Sequence, residues 1–173
     1  LVSLPVLNKT TNLNNHFDRY LLMESHNDFG AMLDCLEFEK STPSFYLMNV
    51  GETHYPYTLP GESAEDLPIL HGVHGVFKHM DDLLTGDKAV AKEHAPEDFF
   101  HMDRMMGLKE KQRRNVEHLD RLFEKLYDKV PANTHILVTS DHGELFGEDG
   151  FFGHGPIVHE KVFEVPFVEG KIK

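Results

Sequence analysis

A chain of 173 residues, 40% apolar and 10% aromatic, is long enough for a globular domain with a real core and too apolar for a disordered one. Its formal charge of −12, from 29 acids against 17 bases, argues against a basic groove for nucleic acid and against binding to an anionic membrane surface. The single cysteine, Cys35, excludes an internal disulfide. No apolar stretch approaches the ~20 residues that cross a bilayer, and no signal peptide is visible. A soluble chain with no membrane span is therefore expected, its compartment left open. The first residue is Leu1 rather than Met, which suggests a processed, trimmed or partial chain.

In chain order, "NKTTNLNN" reads as a turn cluster, and "YLLMESHNDFGAMLDCLEFE" as a helical stretch weakened by Gly30. Cys35 sits between leucines there and reads as ordinary packing. The apolar run Phe45 to Val50, bounded by Pro43 and Gly51, reads as a buried strand, and "THYPYTLPGES" as the loop leaving its end. His71, His74 and His79 hold no single metal-binding face at their spacing, so a helix or loop with partly buried histidines is expected there. From about Gly107 the apolar residues Val116, Leu119, Leu122, Phe123, Leu126 and Val130 recur at helical spacing, with charges between them; Pro131 ends the helix. "THILVTS" follows as a second strand, apolar on both faces, the kind that lies in the middle of a parallel sheet. Strand, long helix, strand implies an α/β class, whose ligands sit at the carboxyl ends of the strands. Both "GETHYPY" and "SDHGE" leave such ends.

Asp141 and His142 are a carboxylate and an imidazole held together at a strand end. Mixed oxygen and nitrogen ligands suit Mg, Mn, Zn or Fe, and Gly143 lets the chain turn away without a side chain over the site. A polar strand-end turn is the competing reading. His154, flanked by Gly153 and Gly155, has no apolar periodicity that would make it a core residue. His54 stands in a loop stiffened by Pro56. Three such histidines beside Asp141 would suit an anionic ester, with hydrogen-bonding groups for its oxygens and a cation for the leaving charge.

Taken together, "FYLMNVGETHYPY", "LDRLFEKL", "THILVTSDHGE", "GHG" and "EKVFEVPFV" resemble, in order and spacing across residues 41 to 168, the later part of the catalytic domain of the sulfatase family, within the alkaline phosphatase-like superfamily. The resemblance implies a single sulfatase-like domain over residues 1–173, its carboxyl-side portion. The implied fold is a partial three-layer αβα sandwich with a mostly parallel sheet. It implies Asp141 and His142 as ligands of a divalent cation, and His54 and His154 as catalytic residues around the ester. His154 stands where many sulfatases have the lysine of "GKG", which leaves sulfate against phosphate open. Ca or Mg would be the ion of a sulfatase, Mn or Zn that of a phosphoryl-transferring relative. Glu160 and Pro166 would be structural.

The family's nucleophile motif, of the form "CxPSR", is not found. "STPSF" at 41–45 lacks the arginine and leads into the expected strand, so Ser41 reads as linker, and Cys35 fits no better. The expectation is a metal-dependent hydrolase of sulfate esters, incomplete in this chain, acting on a small anionic ester, with an upstream segment or complementary chain supplying the nucleophile. The alternatives are a phosphate ester hydrolase or phosphoryl transferase of the same superfamily, and a non-catalytic protein that keeps the sulfatase-like architecture.

Overall fold

The fold comes from a computed structural model. The description covers residues 1–39, 42–63, 67, 76–77, 97–155 and 157–173; Ser41, His71, His74 and His79 lie outside it. Helices are α1 (Phe29–Asp34), α2 (Met102–Lys129) and α3 (Glu160–Phe163). Strands are β1 (Val76–Phe77), β2 (His135–Thr139), β3 (Leu145–Phe146), β4 (Phe151–Gly153) and β5 (Phe167–Lys171). They fall into two compact units. One comprises Leu1–Ala64, Lys111–Thr134 and Ile172–Lys173, the other Glu65–Glu110 and His135–Lys171.

In the first unit, α1 is shorter than the sequence pattern suggests. Asp28 caps it, its carboxylate accepting from Ala31 N at 2.8 Å, and its Phe29, Met32 and Leu33 are buried. Phe29 meets Phe123 of α2 edge-on, with ring centroids 5.5 Å apart. Helix α2 confirms the helical periodicity, and its end at Lys129 agrees with the stop at Pro131. Its buried stripe differs from the apolar positions read from sequence. Met105, Leu108, Asn115, Leu122 and Leu126 are buried, whereas Val116 is exposed. Together with the half-buried Gln112 and Leu119, these positions alternate in steps of three and four, so one line of the helix is covered and a polar residue lies in its middle.

The expected parallel αβα sandwich is not what the described residues form. They contain two small antiparallel sheets, ordered β1-β4-β3 and β2-β5. The run at 45–50 is not a buried strand. Only Asn49 bridges, to Val2, while Phe45 is 77% exposed and stacks on Phe17. Among the described residues no ladder pairs with that run beyond the Asn49 bridge, so its strand propensity is not realised. Strand β2 forms as expected, but its partner is β5, antiparallel, with Val138 opposite Val168; alternate residues are exposed, so it is not the core of a sheet.

In the second unit, the core gathers Phe99, Met105, Leu108, Leu145, Phe146, Phe152, Ile157 and Val162. Phe152 packs edge-on against both Phe99 (4.9 Å) and Phe146 (5.9 Å). Leu145, Ile157 and Val162 form a second buried contact with Phe151 beside it. Glu160 opens α3. Pro166 is exposed and accepts through its carbonyl from Thr139 Oγ1 at 2.9 Å, which ties the start of β5 to the end of β2.

Candidate metal centre

The stretch after β2 folds back as a hairpin. Leu145 pairs with Gly153 and Phe146 with Phe152, and the four residues Gly147 to Gly150 turn the chain. Gly147 lies at φ 107° and Gly150 at φ 81°, conformations that favour glycine, and Gly147 N donates to Phe151 O at 2.9 Å to close the turn. Continuing the register by one pair sets Glu144 opposite His154. Leu145 and Phe152 hold that mouth in place from the core side. On the preceding side, Gly143 N donates to Val162 O at 2.8 Å, and a Cβ at Gly143 would stand 1.9 Å from Lys161 O. The glycine is therefore required by close backbone approach. This refines its sequence reading, which had it clear the way for a ligand.

Three ligand atoms converge at this mouth. One atom each from His142, Glu144 and His154 all lie within 4.8 Å of one another. The Glu144 carboxylate, only 11% exposed at the side chain, accepts from His154 Nδ1 at 3.2 Å and lies 3.9 Å from His142 Nδ1. The two imidazoles stack with centroids 3.6 Å apart and planes at 22°. Stacking leaves their in-plane lone pairs nearly parallel, so joint ligation of one ion by both rings requires them to splay.

His142 Nδ1 lies 2.9 Å from Gly143 O, and with the proton placed there it donates to that carbonyl, leaving Nε2 with the lone pair. Nε2 is 3.7 Å from Asp141 Oδ1, a separation available to two ligands each about 2.0–2.2 Å from one ion. Asp141 is largely exposed. Ser140 Oγ donates to His142 O at 2.6 Å and fixes the turn between them. Asp141 and His142 are thus adjacent as the sequence implies, and His154 is brought onto His142. Glu144, which lies within the quoted "SDHGE" but received no role from sequence, completes the cluster. The hairpin signal "FGEDGFF" is what would have found it.

His54 belongs to the first unit and is exposed on its loop, its Nδ1 2.7 Å from Tyr55 O. A buried polar group anchors that loop. Glu52, 1% exposed, accepts from Phe29 N at 2.5 Å, and Asn115, fully buried on α2, donates to Glu52 O at 2.6 Å. Glu52 Oε2 and Asn115 Oδ1 are buried without a hydrogen-bond partner among the described residues. Burial pushes the Glu52 carboxyl above its ordinary value, with Asp28 adding in the same direction and the Phe29 amide opposing. Beside His54, burial holds the His26 imidazole below its ordinary value, and the neighbouring His54 lowers it further.

No family, curated protein or solved structure matches the chain. Among the described residues no helix is long and apolar enough to cross a membrane.

Proposed function

We propose that this chain supplies the cation-holding and ester-binding residues of a sulfatase-like, metal-dependent hydrolase of sulfate esters. The observation that carries the proposal is the convergence of His142, Glu144 and His154 within 4.8 Å, next to Asp141, directly after β2. The donor chemistry fits a divalent cation: an imidazole beside carboxylates suits Zn or Mn, whereas Ca and Mg prefer shells of oxygen. Asp141 and His142 would hold the ion with Glu144 close by, and a bound cation would offset charge on the ester. His154 would hydrogen-bond an ester oxygen, and a complementary segment or chain would carry the nucleophile.

The imidazole donor also favours the second reading, in which the ester is a phosphate. Turnover of 4-nitrophenyl sulfate and 4-nitrophenyl phosphate with Ca, Mg, Mn and Zn in turn separates the two, assayed alone and with a polypeptide bearing a "CxPSR"-type nucleophile. Elemental analysis after dialysis tests the site without turnover. About one equivalent of Zn or Mn is expected in the wild type, falling at least tenfold in His142→Ala. Equal metal in both proteins sinks the proposal.

A further inference from the structure

Strand β5 is exposed at all five positions, and among the described residues β2 is its one ladder partner. Phe167 and Val168 are 63% and 58% exposed, and Leu137 of β2 lies exposed beside them. A ribbon with apolar residues on an open edge is a template for another strand.

The polarity of that edge follows from the ladder. Ile172, next after β5, donates to Thr134 O and accepts from Asn133 N, each at 2.9 Å, so its backbone faces the β2 side. By the alternation of an antiparallel ladder, Phe167, Glu169 and Lys171 then direct their N–H and C=O groups outward. These outward residues carry an apolar group, an acid and a base in the order Phe-x-Glu-x-Lys.

We propose that β5 pairs antiparallel with β5 of a second copy of this chain, about a two-fold axis through Gly170. In that register Glu169 of each copy stands directly opposite Lys171 of the other, giving two opposite-charge pairs. Moving the axis to Glu169 would place two carboxylates face to face, which is unfavourable. Charge complementarity thus selects one register, and the contact is self-complementary as a two-fold interface requires. Gly170 at the axis carries no side chain, so none stands against its own copy across the two-fold. The pairing joins two β2-β5 ribbons into one four-stranded antiparallel sheet and adjoins Phe167 to the second copy.

Sedimentation velocity over a wide concentration range tests this with the full chain. The wild type is expected to show a monomer–dimer equilibrium. Glu169→Lys and Lys171→Glu each set like charges opposite and should weaken self-association about tenfold or more. Mixed in equal amounts, the two variants regain opposite charges at both positions and should form a heterodimer as tight as the wild-type dimer. This mixture also guards against misfolded variants, which would not recover. A wild type that stays monomeric, reversals that leave the dimer intact, or a mixture that fails to associate would each overturn the proposal.

Discussion

At the residue scale, two glycines near the candidate centre separate steric need from proximity. Gly143 is fixed by backbone contact, its Cβ direction meeting Lys161 O at 1.9 Å and Glu164 O at 2.7 Å, whereas Gly155 meets nothing within 4 Å. Gly143→Ala should therefore cost about 1–3 kcal/mol, the range for forced overpacking, and Gly155→Ala should stay within about 0.5 kcal/mol of the wild type. Urea denaturation checks both, and equal stability of the two variants would refute the close-approach argument. Glu52 gives a prediction in pH. Its folded-state carboxyl is raised, so its contribution favours folding fully below the ordinary value near 4.5 and is lost as pH rises through the raised one. Once ionised, Glu52 is a destabilising group whose buried Oε2 has no hydrogen-bond partner among the described residues. Glu52→Gln keeps an acceptor for Phe29 N and removes the charge, so it should stabilise the protein at pH 7 by about 1 kcal/mol or more and flatten the pH profile above 4.5. A variant less stable than the wild type at pH 7 would mean that the ionised form has a partner.

At the scale of elements, the hairpin converts a glycine-rich sequence into a site. Adjacent residues Asp141 and His142 were legible as a candidate pair because sequence alone forces them together. The approach of His154 was not, because it depends on the register of β3 on β4, which a two-residue strand barely announces. Helix α2 was legible through its spacing, yet its buried Asn115 was missed since an apolar count ignores a polar residue that satisfies a loop carbonyl. Gly147 tests the hairpin's role. A Cβ there would meet Met105 Cγ at 3.2 Å, and φ 107° is strained for any other residue. Gly147→Ala should cost about 1–3 kcal/mol and, by loosening the Glu144–His154 pairing, lower Zn or Mn affinity. Metal titration followed by calorimetry reads both. Unchanged affinity with reduced stability would separate the turn from the site.

For the whole molecule, the failed expectation of a parallel sheet has a physical cause. Apolar runs say that a strand wants covering, but which strand covers it is a non-local pairing that one sequence does not encode by periodicity; β2 found β5 across an antiparallel ladder. The remaining whole-chain property, charge, was fully legible. At −12 near pH 7, copies of the chain repel one another, although a Debye length of about 8 Å at physiological salt confines that repulsion to near contact. The net charge falls to zero between there and the isoelectric point of about 5.4, so repulsion should fade over this interval. Light scattering against concentration should therefore give net repulsion at pH 8 and net attraction close to pH 5.4. The β5 contact predicts something further. Between pH 8 and 6.5 the specific dimer should strengthen as the general repulsion weakens. Glu169→Lys should weaken that dimer while retaining the broad attraction near its own, slightly higher isoelectric point. If the variant and the wild type associate alike across the whole range, the attraction is a matter of net charge alone, and the strand-edge contact is wrong.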